Sequence, residues 1–194
     1  MTEFKVHTAE SAPEDSKEVL QNAQETYGFI PNIFGSMAEA PQLLKTYMAV
    51  QDDFGKTSLT PTEQQLVMLA TSAMNKCLFC VPAHSYMLRN KVKADDAVID
   101  AAREGRELPD AKLNALVTFT KQVVKTQAGV SEEQTQAFLD AGYTRQQALE
   151  VVLGVAAKTM TNYTSRIAAT PPSEEFSSEA WTPSVCCSDS KCAA

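Results

Sequence analysis

Three times along this chain a hydroxyl residue is followed, three positions later, by Glu or Gln at the head of an apolar-periodic stretch. The pairs are Thr60/Glu63, Ser131/Gln134 and Thr144/Gln147. That spacing is a capping box: each side chain satisfies a backbone N–H that a helix start leaves unpaired. Pro61 strengthens the first, because proline at the first helical position gives up only an N–H with no partner there. No period-two runs and no Asn-Gly or Asp-Gly hairpin turns compete with this reading. The expected fold is all-α.

The helices follow from stripes and stops. The first spans about 14–27, with Val19, Leu20, Ala23 and Tyr27 inward and Gly28 ending it. The next opens at Pro41 and carries Leu44, Tyr47, Met48 and Gln51. The capped helix from Pro61 carries Leu66, Val67, Leu69, Ala70 and Ala73 to Asn75-Lys76, and another starts near Cys77 and runs to about Asn90. Further helices are expected at about 94–104, 109–127, 131–141 and 144–169, with Gly105, Gly129 and Gly142 as stops. On the last, Leu149, Val152, Ala156, Thr159, Tyr163 and Ile167 lie along one side, and Pro171-Pro172 end it. The expected organisation is a helical domain over 1–170 and a flexible polar tail over 171–194, containing Trp181, Cys186, Cys187 and Cys192.

Charge and cysteine usage narrow the function. Seventeen basic against 24 acidic residues give a net charge of −7, with no basic stripe for nucleic acid or for anionic membrane surfaces. No apolar run approaches the ~18 residues of a bilayer span, and the polar start Met1-Thr2-Glu3-Phe4-Lys5 has no signal-peptide core. A cytoplasmic protein is expected. The five cysteines cluster at 77/80 and 186/187/192 rather than spreading as a disulfide scaffold would. In a reducing compartment such a C-x-x-C is more often a redox or metal motif.

The chemistry concentrates in Cys77-Leu78-Phe79-Cys80-Val81-Pro82-Ala83-His84. On a helix, positions i, i+3 and i+4 share a face, so His84 can reach the Cys80 sulfur and Cys77 lies one turn before it. A helix N-terminus and an imidazole both lower a thiol's pKa. A Cys80 thiolate could attack a peroxide and become a sulfenic acid, with which Cys77 condenses to a disulfide; a dithiol donor would reset the pair. Three other readings stand beside this one. The cysteines could be inert packing. They could form a structural zinc site with His84 and a fourth ligand from His7 or the tail. With the tail thiols they could bind a soft metal or metalloid ion in a helical oligomer. Cys186, Cys187 and Cys192 could equally form an exposed, dispensable end or a swinging thiol arm.

The stretch Leu59-Thr60-Pro61-Thr62-Glu63-Gln64-Gln65-Leu66-Val67, continued by Asn75-Lys76-Cys77 through His84-Ser85, resembles the core of the AhpD-like alkyl hydroperoxidases of the carboxymuconolactone decarboxylase superfamily. The resemblance implies an all-α homo-oligomer, often a trimer or hexamer, that needs no metal or prosthetic group. It implies a hydroperoxide substrate and a dithiol reductant, or thiol–disulfide exchange without peroxide. Carried over, Cys80 attacks, Cys77 resolves and His84 relays protons with a glutamate twelve positions before the first cysteine. Here that position is Gln65, which cannot take up a proton to become neutral. The nearby acid, Glu63, lies about 200° away around the helix, and its place in the capping box is complete without catalysis. Gln65 and Glu63 are the two candidates for the relay position.

Overall fold

In the computed structural model, which describes residues 4–183, nine α-helices follow one another and no strand occurs among the described residues. They are α1 (Glu14–Tyr27), α2 (Asn32–Met37), α3 (Pro41–Gly55), α4 (Pro61–Met74), α5 (Cys80–Tyr86), α6 (Asp96–Glu104), α7 (Ala111–Thr126), α8 (Glu132–Asp140) and α9 (Arg145–Ile167). A π-helical segment (Met87–Val92) continues α5, and a 3-10 helix (Glu174–Glu179) follows α9. All three capping boxes form as the spacing requires, on α4, α8 and α9.

Helix α4 is the pillar. Leu66 through Ser72 are buried without a break, as expected of a helix packed on every side. It contacts α5, α6, α7 and α9. Two apolar clusters meet on it: one with α1–α3 and α7–α9, the other with α6, α7 and Trp181. Close approach of α9 depends on Gly154, where a Cβ would lie 2.7 Å from both Phe54 Cζ and Val67 Cγ1.

The face that α9 buries is not the apolar side read from the sequence. Leu149, Val152, Tyr163 and Ile167 are 73%, 44%, 58% and 70% exposed, whereas Val151, Gly154, Ala157, Lys158, Thr161, Asn162 and Ser165 are buried. Hydrophobic periodicity picked the more apolar side of the helix. The buried side is polar because it walls a site.

The chain from Pro171 onward is also bound to the body. Asn32 Nδ2 donates to the carbonyls of Pro171 and Pro172 (3.2 Å each), and its backbone N–H donates to Ser173 Oγ (3.0 Å). The 3-10 helix then brings Phe176 against Phe29, Phe79 and Tyr86, with centroids 5.7, 6.1 and 5.5 Å apart. Buried Glu179 accepts from Arg89 (2.8 Å) and Arg103 (2.5 Å), clamping the strap to the π-helical segment and α6. The expected boundary of a flexible tail at 171 therefore falls at the start of a packed strap. Cys186, Cys187 and Cys192, with the proposed thiol arm, lie outside the described residues. None of the described helices is long and apolar enough to cross a membrane.

Candidate active site

The dithiol sits where one helix stops and the next starts. Lys76 adopts a left-handed conformation (φ +52°). Its N–H bonds to the Ala73 carbonyl, and the Cys77 N–H bonds back to the Ser72 carbonyl (3.0 Å each). That pair of bonds is a Schellman ending to α4. Cys77 then caps the following turn. Its carbonyl accepts from the Val81 N–H (3.1 Å), and its Sγ accepts from the Cys80 N–H (3.2 Å). The helix expected to begin at Cys77 thus begins at Cys80, with Cys77 as the acceptor at its head.

Both thiols are free and buried, but their environments push them apart. A hydrogen bond from the Cys80 thiol, the Cys80 backbone N–H, the Lys158 ammonium and Ser165 outweigh burial at Cys77 and lower its pKa to about 6. Burial pushes Cys80 well above an ordinary thiol, and its bond to the Cys77 sulfur adds to this; Lys158 and Asn162 oppose it. At neutral pH the pair holds one proton, on Cys80. Thiolate absorbance in the reduced protein should therefore titrate with a midpoint near pH 6, and Cys80→Ala should move it upward by removing the largest cause. A wild-type midpoint at the ordinary ~8.5 would contradict this. Because the folded pKa is the lower one, the stabilisation is full above the unfolded thiol's pKa and is lost as pH falls through about 6.

Of the two thiols Cys80 is the less exposed to the outside, at 1% against 5% for Cys77. It lines an apolar cavity of about 330 Å³ together with His84, Gln65, Tyr47, Lys158 and Phe176, among others; Cys77 is not on its wall. His84, one turn beyond Cys80, donates Nδ1–H to the Gln65 amide oxygen (2.9 Å), which leaves Nε2 as the acceptor nitrogen. Burial, then the Lys158 charge, holds its pKa well below the ordinary imidazole value, so the ring is neutral at pH 7.

The two relay candidates separate. Gln65 lies in the site. Glu63 is off the cavity: it accepts from Thr60 N–H and Oγ1 (2.8 Å each) and from Tyr143 OH (2.9 Å), with Lys112 3.7 Å away. Burial alone would raise its pKa, but those bonds and the Lys112 charge hold it below the usual carboxylate value. His7 is engaged elsewhere, with Glu39 (2.6 Å) and the Ser11 carbonyl (2.8 Å). Among the described residues no three His, Cys, Asp or Glu side chains converge as a metal-holding group.

Two side chains escaped the sequence reading. Lys158 and Phe176 both line the cavity. Lys158 carried a signal in hindsight, since it stands four residues after Gly154 and so shares its helix face.

Residues 41–122 match the model of the carboxymuconolactone decarboxylase family, a span that contains the capped helix, the dithiol and His84. The fold is that of a peroxidase-related protein with an alkylhydroperoxidase AhpD core from Ralstonia eutropha JMP134. The two chains are 26% identical, the alignment covers 91% of this chain and 96% of that one, and the TM-score is 0.79. The chain thus resembles the carboxymuconolactone decarboxylase family over residues 41–122, and its fold is AhpD-like. A peroxidase-related protein from Silicibacter sp. TM1040 shares the AhpD-like fold at 20% identity, over 90% of this chain and 95% of that one, with a TM-score of 0.76. So does the debrominase Bmp8 at 16% identity, over 92% and 96%, with a TM-score of 0.75. None of the curated proteins compared with the chain matches it. Cys77, Cys80 and His84 stand within the matched span, with an amide at Gln65 where the resemblance expects a carboxylate.

Proposed function

We propose that this chain is a cysteine-dependent oxidoreductase that reduces a hydroperoxide through a Cys77/Cys80 dithiol–disulfide cycle. The observation that carries the reading is a hydrogen-bonded pair of free thiols with one member, Cys80, on the wall of an apolar cavity beside a neutral imidazole. Cys80 sulfur attacks the distal peroxide oxygen, the O–O bond breaks, and the alkoxide leaves as the alcohol after taking a proton. The Cys80 proton passes to the Cys77 thiolate or to His84 Nε2. Cys80 is now a sulfenic acid. Cys77 attacks it, water leaves, and the disulfide forms. Two thiols have then reduced one peroxide to an alcohol and water, and an external dithiol restores them by exchange.

The exposed apolar row Leu149, Val152, Tyr163 and Ile167 on α9 supports a homo-oligomer, with that face as the contact between copies. A cytoplasmic location suits the reduced pair. The test of function is a titration of reduced protein with cumene hydroperoxide. Loss of two thiols per peroxide within minutes is the expected result; unchanged thiols would reject the peroxidase reading in favour of exchange alone.

The cavity also supports a second oxidoreductase reading. Bmp8, solved with 2,3,4-tribromopyrrole, shares the fold, and aromatic side chains are among those that line the cavity here. The same dithiol could remove bromide from an aromatic ring, leaving the hydrogenated ring, a disulfide and HBr. Bromide release from that pyrrole, matched to the loss of two thiols, would favour this reading.

A further inference from the structure

Lys158 is 3% exposed, and its chain carries the ammonium into the cavity wall beside Cys80 and His84. Its position follows from the packing: Gly154 lets α9 close on Phe54 and Val67, and one turn later the same face delivers Lys158 to the space that this approach encloses. Its charge acts on Cys77, Cys80 and His84 alike. An ammonium drawn out of bulk water is costly unless an opposite charge faces it. The Cys77 thiolate offsets part of that charge from behind Cys80, off the cavity wall. Among the described residues nothing on the wall does so: none of those lining the cavity is a carboxylate, and the other cation there is Lys91 at the exposed edge. A chain of net charge −7 thus encloses a small, cationic, apolar space.

The rest of the wall states what the space holds. Among the described residues eight aromatic side chains line it, Phe29, Phe34, Phe54 and Phe176 included. Rings pack best on rings, edge to face or offset, and a volume of about 330 Å³ is at the small end of ligand pockets. We propose that the cavity binds an aromatic molecule carrying one anionic group, a carboxylate or a phenolate, with its ring among these side chains and its charge on Lys158 beside Cys80. Lys158 is then a specificity residue that turns the reacting end of the molecule toward the dithiol. This rests on the reading of Cys80 as the thiol facing substrate, and it names the class of substrate that thiol meets.

A pair of unreactive probes of equal size separates charge from shape: 1-naphthoate and 1-naphthamide, titrated calorimetrically into reduced protein. The carboxylate should bind about tenfold more tightly or better, the preference one charge-assisted contact supplies. Lys158→Met, an apolar replacement of similar length, should erase that preference, and naphthoate should slow alkylation of Cys80 in the wild type. Equal binding of the two probes, binding of neither, or naphthoate binding that leaves Cys80 alkylation unchanged would each overturn the proposal. So would a folded Lys158→Met protein that keeps the preference; should that variant not fold, the wild-type comparison and the alkylation result decide. The probes undergo no turnover, so a protein that discriminates between them yet consumes no peroxide refutes the peroxidase reading alone.

Discussion

Cys80→Ser should abolish peroxide-dependent loss of thiols, whereas Cys77→Ser should still be oxidised once and then stall as a Cys80 sulfenic acid that a 1,3-dione traps. Two properties of the site point in opposite directions here. Acidity favours Cys77, held near pH 6 by its hydrogen bonds and by Lys158, while burial keeps the Cys80 proton on. Place favours Cys80, which lies on the cavity wall where Cys77 does not. Place decides, because a substrate held in the cavity meets Cys80 and not Cys77, and a protonated thiol with an acceptor at hydrogen-bond distance can lose its proton as it attacks. The Cys77 thiolate is that acceptor, so the low pKa of one cysteine serves the nucleophilicity of the other. Mass spectrometry of each single variant after one equivalent of peroxide checks the assignment. Oxidation of Cys77 in the Cys80→Ser protein, with Cys77→Ser inert, would reverse the two roles.

The helical frame was legible because its signals are local. A capping box needs only residues three apart, and all three read from the sequence occur on α4, α8 and α9. Cys77, Cys80 and His84 were legible for the same reason: their spacing is that of neighbouring turns. What escaped depends on neighbours distant in the chain. Lys158 stands beside the thiols only because α9 packs on α4, and a lysine amid Ala156, Ala157 and Thr159 offers no local sign that it points inward. Phe176 looked like part of a polar tail, since its burial rests on Asn32 and Phe29 about 140 positions earlier. The buried face of α9 escaped for a sharper reason. Periodicity assumes that the most apolar face is the buried one, an assumption that fails where a helix lends a polar face to a site inside and keeps an apolar face outside.

Gln65→Glu should raise peroxidase activity by about 10²-fold, the lower end of what a well-placed acid–base partner contributes. In the present chain His84 donates Nδ1–H to a neutral amide 2.9 Å away. Burial and Lys158 both oppose a positive ring, so the imidazolium is costly to form. As a base, His84 must become that imidazolium when it takes the Cys80 proton. A carboxylate at position 65 would face the ring with a negative charge at hydrogen-bond distance and raise the His84 pKa toward the ordinary value. The sign can be checked apart from turnover. A histidine whose folded pKa is depressed contributes stability that is full above its unfolded pKa of ~6.5 and lost as pH falls through the folded value. Gln65→Glu should therefore lessen the loss of stability between neutral and mildly acidic pH, measured by denaturant midpoints across that range, while increasing the rate with cumene hydroperoxide. A variant with the altered acid stability and no gain in rate would show that His84 is not the base and that the Cys80 proton goes to Cys77 alone.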